Sequence, residues 1–279
     1  MSEVVISASD VKALRDQTGA GMMDCKKALT EAGGDFEKAI EVLRKQGQKL
    51  SLKRADREAK EGAVIALVSD DKTKGVVVRL SCETDFVAKN DDFVAFTTKI
   101  AQLALESFPA DREALESVAF DSTISIGDKI LEQVGVIGEK VELADYQKLE
   151  AAYITSYIHM GNKAGVIVGF NKADASFEEA GKDVAMQIAA MKPVSVDEKG
   201  VSSDIIEKEI EIGKELARQE GKPEDMLEKI AQGKLAKFFK EMTLLPQAFV
   251  KDNKKSVAEY LKTFDKELTV TDFKHVKLG

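Results

Sequence analysis

Apolar residues recur at three- and four-residue steps through the first 48 positions, in three runs separated by polar and glycine-rich breaks. Val11 and Leu14 mark a first helix that Ser9 or Asp10 can cap, and Thr18-Gly19-Ala20-Gly21 breaks it. Met22, Cys25, Ala28 and Leu29 mark a second helix, stopped by Gly33-Gly34. Asp35 then caps a third, with Phe36, Ala39, Ile40 and Leu43 on one face. Met22 and Met23 are consecutive, about 100° apart on a helix, and cannot both enter one core. One is expected inside and the other free for a partner, a task that suits a flexible thioether. From Gln48 to Glu61 the chain turns polar and basic, through Lys49, Lys53, Arg54, Arg57 and Lys60. That stretch predicts a helical linker, either solvated or making a specific contact.

Past the linker the period shortens and then repeats. Shifting the chain by 90 residues lays Val64-Ile65-Ala66-Leu67-Val68 on Ile154-Thr155-Ser156-Tyr157-Ile158. The same shift lays Gly75-Val76-Val77-Val78-Arg79-Leu80 on Gly165-Val166-Ile167-Val168-Gly169-Phe170. Both copies read as a buried hairpin followed by a helix. In the first copy the helix carries Phe93, Phe96, Ile100, Leu103 and Ala104, and Ile100-Ala101 meets Val184-Ala185 after a shift of only 84. The first copy is therefore six residues longer between its second strand and its helix.

Between the copies lie stretches at Arg112 to Val118 and Ile126 to Leu143, the first of them helical. Lys192-Pro193 ends the helix of the second copy. Two amphipathic helices, Ser203 to Gln219 and Glu224 to Met242, then flank a Gly221-Lys222-Pro223 turn. A last helix carries Val257, Tyr260 and Leu261, and a strand runs from Leu268 to Leu278. The class predicted is α+β: an N-terminal three-helix, ubiquitin-associated-like domain, then a duplicated hairpin-plus-helix core on antiparallel sheet, with a protruding helical hairpin. Residues 1–55 would form the helical domain with its linker and 56–148 the first repeat. Residues 149–279 would form the second repeat, with the hairpin inserted at about 196–243.

The surplus of the first copy lies between its second strand and its helix, where Glu83-Thr84-Asp85-Phe86-Val87-Ala88-Lys89-Asn90 sits. The second copy folds without it, so the loop is not needed for the scaffold. Phe86 either turns back onto its own sheet or is an anchor presented to another protein. Thr271-Asp272-Phe273 repeats part of this motif but falls inside a strand pattern, and reads as a decoy.

A second signature, Leu14-Arg15-Asp16-Gln17-Thr18-Gly19-Ala20-Gly21-Met22-Met23-Asp24-Cys25-Lys26-Lys27-Ala28-Leu29, precedes it. In that order the two motifs closely resemble the bacterial elongation factor Ts family, and the resemblance extends from about Val11 to Gly279. It implies a guanine-nucleotide exchange factor for the translational GTPase elongation factor Tu, working in the cytoplasm. It implies that Thr84, Asp85, Phe86 and Val87 form the loop that disturbs the partner's Mg²⁺ site, with Phe86 as a wedge in the GTPase domain and Asp85 on the Mg²⁺ side. Met22, Met23 and Lys26 would add N-terminal contacts, and Ile137, Gly138, His159 and Val250 a second footprint. His159 sits at the hairpin turn of the second copy, either touching the partner or serving as a plain turn residue. The helical hairpin would either pair two copies into a homodimer or pack on the chain's own core.

Composition narrows the alternatives. Lys and Arg number 41 against 49 Asp and Glu, a formal net charge of −8, which argues against direct nucleic-acid binding through phosphates. Cys25 and Cys82 are too few and too far apart for a metal site or a disulfide scaffold, and both fit buried thiols. No GxxxxGK[ST] phosphate loop occurs, no nucleophile–base pairing is visible, and the histidines are only His159 and His275. Neither a cofactor nor bond-changing chemistry is expected. No apolar run approaches the roughly 18 residues of a membrane span, and no signal-peptide pattern opens the chain. The rival reading from another class is a protein-binding or holdase module without exchange activity.

Overall fold

The computed structural model describes residues 5–279, so the first four residues of the predicted helical domain lie outside the described residues. The chain forms two compact units. One gathers the chain up to Ile65 with Val78–Gln147 and Val276–Gly279; the other comprises Ala66–Val77 and Lys148–His275. The architecture is α+β, and the duplication of the sequence is visible as two three-stranded sheets.

In the first unit, α1 (Ala8–Thr18) begins at Ser7, not at Ser9 or Asp10. The Ser7 hydroxyl accepts from the Asp10 amide while the Asp10 carboxylate accepts from the Ser7 amide, a reciprocal cap. Gly19 ends α1 with φ 74°, a backbone that a side chain would strain. α2 (Met22–Glu31) and α3 (Phe36–Lys53) follow, the latter capped by Asp35 as its position predicts. Val11, Leu14, Cys25, Ala28, Leu29 and Ala39 close a small core. Part of the predicted linker is simply the end of α3, whose helix runs on to Lys53.

The first sheet has the order β1 (Glu61–Val68), β2 (Lys74–Cys82), β3 (Val141–Glu150). After β2 the chain forms the single turn α4 (Asp85–Ala88), then α5 (Asp91–Ser107), α6 (Arg112–Glu116) and α7 (Ile126–Ile137). α3 packs on α7 where Gly47 meets Gly135; a Cβ on Gly47 would run into the Leu131 carbonyl. The stretch from Ile126 to Leu143 is thus a helix that stops at Gly138 and gives way to a strand.

In the second unit, β4 (Tyr153–His159) and β5 (Ala164–Phe170) pair antiparallel, from Tyr153 opposite Phe170 to His159 opposite Ala164. α8 (Phe177–Met191) lies on β4, close enough at Gly181 that a Cβ there would strike Thr155. α9 (Ser203–Gln219) and α10 (Leu227–Met242) form the helical hairpin. Its base is closed by bonds from the Val194 amide to the Met242 carbonyl (2.8 Å) and from the Leu244 amide to the Ser195 carbonyl (2.9 Å). Gly213 lets α9 approach Ala231 on α10, while Ile212 and Leu216 stay exposed. A short ribbon follows, β6 (Ala248–Phe249) with β7 (Asp252–Ser256), then α11 (Val257–Leu261). β8 (Val270–Lys277) completes the second sheet in the order β4-β5-β8. The Thr271-Asp272-Phe273 decoy lies within β8.

Each repeat therefore contains a third strand beyond its hairpin, β3 in the first and β8 in the second. Phe170, Phe177, Val184, Ile188, Leu244 and Leu261 are among the buried residues of the second core.

Candidate functional site

β2 ends at Cys82, whose buried thiol donates to the Thr84 carbonyl at 3.3 Å. Burial, with the Glu139 carboxylate nearby, pushes that thiol up to about 12, so it stays protonated and inert. Burial also raises the Cys25 thiol. Thr84 then caps α4, its hydroxyl accepting from the Val87 amide at 3.4 Å. This turn replaces the irregular loop expected there. It carries Phe86 outward, 84% exposed, which excludes the reading that the ring folds back onto its sheet.

Asp85, at the start of the turn, pairs with Lys89 at 2.6 Å, both side chains substantially solvated. The hydrogen bond and charge of Lys89 hold the Asp85 carboxyl below its usual range, so it is ionised at neutral pH. An exposed pair of this kind is worth little, and Asp85 is free to exchange Lys89 for another cation.

The root of the turn is held by two carboxylates from separate corners. Glu139 accepts from the amides of Glu83 (3.2 Å) and Thr84 (3.0 Å) through one oxygen and from the Thr84 hydroxyl (2.7 Å) through the other. Glu83 in return accepts from the Lys140 amide and from the Arg54 guanidinium, each at 2.6 Å. The Lys140 ammonium donates to the carbonyls of Ala55 and Arg57, both at 3.1 Å. The basic linker thus makes specific contacts. Glu139 was invisible as a partner of Thr84 because 55 residues separate them; its one signal is a charge directly after the helix-ending Gly138.

Val87 lines a hollow with Gly19, Phe93, Phe96, Val136 and Ile137. Ile137 is the last residue of α7, and Gly138 caps it in the left-handed region at φ 77°. Ile137 therefore lies beside Val87 in the first unit, while His159 and Val250 belong to the second. Met22 and Met23 open α2 with 46% and 64% exposure, so neither enters the core. Both protrude because the first turn of α2 precedes the core positions Cys25, Ala28 and Leu29. Lys26, one turn beyond Met22, is also exposed.

In the second unit His159 ends β4, its Nδ1 2.9 Å from the Tyr157 hydroxyl. The turn after it contains Met160, Gly161 and Asn162, all at positive φ. Val250 tips the ribbon between β6 and β7, 49% exposed, its amide donating to Gln187 at 2.9 Å. Among the described residues no group of three or more His, Cys, Asp or Glu side chains could hold a metal ion. Among them, too, no helix is long and apolar enough to cross a membrane.

The class so defined is an α+β protein of duplicated hairpin-and-helix design, carrying on its first copy alone an aromatic side chain fixed in solvent. Residues 83–279 match the family model described as Elongation factor TS, which opens at the root of that turn. The chain is 56% identical over 274 residues to elongation factor Ts of Christiangramia forsetii, covering 98% of this chain and 99% of that protein. It is 53% identical over 274 residues to elongation factor Ts of Flavobacterium psychrophilum, with the same coverage. The match to elongation factor Ts of Amoebophilus asiaticus is 50% over 277 residues, covering 99% of this chain and all of that protein. The chain belongs to the elongation factor Ts family. Its role is accordingly that of a translation elongation factor.

Proposed function

We propose that this chain binds elongation factor Tu in its GDP form and promotes GDP release, so that GTP can reload. The observation that carries the reading is Phe86, an apolar ring held in water on a turn that the scaffold does not need. A GTPase grips GDP through phosphate-loop amides and a Mg²⁺ bridging the phosphates. An exchange factor must therefore bind the nucleotide-free form better than the GDP-bound form. Moving occupancy from 1:99 to 99:1 takes about 5.5 kcal/mol of differential affinity. Burying one Phe contributes about 1.5–3 kcal/mol. Phe86 needs help from other contacts.

Those contacts are drawn from the residues already placed. Phe86 wedges the GTPase domain, with Val87 and Thr84 shaping the turn, while Asp85 releases Lys89 and disturbs the Mg²⁺ side. Met22, Met23 and Lys26 extend the contact along α2, and Ile137 and Gly138 border it next to Val87. His159 and Val250 supply a separate footprint from the second unit. The chain performs no bond-changing step and requires no cofactor; it acts in the cytoplasm, with neither membrane nor nucleic acid as a direct partner. Ile212 and Leu216 are the side chains through which two copies would pair along the hairpin, and sedimentation of a Leu216→Glu variant against the parent tests that pairing.

The deciding experiment is release of a fluorescent GDP analogue from elongation factor Tu with and without this chain. Acceleration at substoichiometric factor supports exchange. Binding without acceleration leaves the protein-binding module and removes the exchange reading.

A further inference from the structure

We infer that Glu139 is a positioning residue for the Phe86 turn, acting in a reciprocal carboxylate clamp with Glu83 that also ties in Arg54 of the linker. The inference rests on the exchange reading for its effect on GDP release, but its geometry stands apart from it.

Three chain segments meet at the root of α4: the linker after α3, the corner after β2, and the corner between α7 and β3. Each is tied to another by a charge-assisted bond. Glu139 accepts from the amides of Glu83 and Thr84 and from the Thr84 hydroxyl, so the two residues that lead into the turn are tied to the corner between α7 and β3. Glu83 points the opposite way and fixes Lys140, the residue after Glu139, while its remaining bond reaches Arg54. Lys140 completes the circuit to Ala55 and Arg57. Phe86 makes no use of core packing, so its direction depends on this circuit.

The internal duplication supports the assignment. The second copy is six residues shorter here and passes from β5 to α8 without a counterpart of α4. A wedge must be stiff to transmit force into its partner, because a mobile one gives up ordering entropy on binding. The circuit also gives the N-terminal helices a route to the turn through Arg54.

The chain contains no tryptophan, so Phe86→Trp introduces a single fluorophore at the tip. In that background, without partner, Glu139→Ala is expected to lower the indole's steady-state anisotropy, and Glu139→Gln, which keeps an acceptor for the two amides, to preserve most of it. In the natural background, Glu139→Ala is expected to slow maximal stimulated GDP release by about tenfold or more, with Glu139→Gln within about threefold of the parent. Arg54→Met, which keeps the side-chain stem but removes its bond to Glu83, is expected to lower the anisotropy in part and covers the case that Glu139→Ala does not fold. Unchanged anisotropy in both Glu139→Ala and Arg54→Met would overturn the clamp. Equal losses for Ala and Gln would overturn the hydrogen-bonding assignment, and a mobile turn with an undiminished release rate would overturn its part in exchange. If the parent itself fails to release GDP, the exchange reading falls and the anisotropy series still decides the clamp.

Discussion

Phe86 and its neighbours divide the work of the turn between display and support, and substitutions should separate the two. Phe86→Ala removes a ring that stands in solvent, so the thermal midpoint should correspond to a change within about 1 kcal/mol. Stimulated GDP release should fall strongly, and stopped-flow release together with a melt checks both halves at once. A large loss of stability would show that the ring packs on the fold. Asp85→Ala should lower the release rate more than the affinity for nucleotide-free partner, because its proposed task lies at the Mg²⁺ side. At this scale the sequence was legible where a residue's surroundings are local. Asp35 as a cap and the buried thiols of Cys25 and Cys82 follow from neighbours in the chain. Met22 and Met23 did not, because helical periodicity says which face a residue lies on and not how far the core extends along it.

Among the elements, the clamp makes a statement about acid. The Lys140 amide, with the Arg54 guanidinium, holds the Glu83 carboxyl below its ordinary value in the folded protein. A depressed carboxyl adds stability above the unfolded value, and that stability is lost as pH falls through the folded one. Glu83→Gln lacks it at every pH. The variant should therefore melt below the parent at neutral pH, and the gap should close as pH falls below the ordinary carboxylate range, where the parent's carboxyl protonates as well. Paired melts across that range check the prediction; a gap independent of pH would mean that the charge is immaterial. The contact of α3 with α7 gives a second test. Gly47→Ala should destabilise by about 1–3 kcal/mol, since its Cβ meets the Leu131 carbonyl of a backbone that cannot step aside. Denaturant unfolding measures it. Helices and hairpins with clean periods were readable from sequence, down to Asp35, Gly33-Gly34 and the Gly221-Lys222-Pro223 turn. β3 was not, because its buried positions Val141, Leu143, Tyr146 and Leu149 change step along the strand and follow a helix without a long break. β7 was hidden by composition: Asp252-Asn253-Lys254-Lys255-Ser256 is polar throughout and pairs only as a ribbon with β6.

For the molecule as a whole, linkage makes the exchange reading quantitative. If the chain and GDP share elongation factor Tu in a ternary complex, each must weaken the other's binding by the same factor. Mg²⁺ should act in the same direction as GDP. Calorimetric titration of the factor into its partner, with and without GDP and Mg²⁺, measures each leg, and equal affinities for both partner forms would rule exchange out. Phe86→Ala should shrink the coupling from either side. The duplicated core was legible from a sequence shift alone, whereas the grouping of its pieces into units was not. Sequence order sets 1–55, 56–148 and 149–279 apart, but compactness joins the N-terminal helices to the first repeat and assigns the hairpin tip Ala66–Val77 to the second unit.

That grouping has a consequence for the birth of the chain. Val276–Gly279 belongs to the unit that carries Phe86, where Val276 is buried and the Lys277 carbonyl receives Arg79 at 2.9 Å. Domains commonly fold in order as they leave the ribosome. Here the first unit to be started is among the last to be finished, since its closing segment is made more than a hundred residues after the rest. A nascent chain still tethered by those residues carries Phe86 on a unit that lacks its last piece.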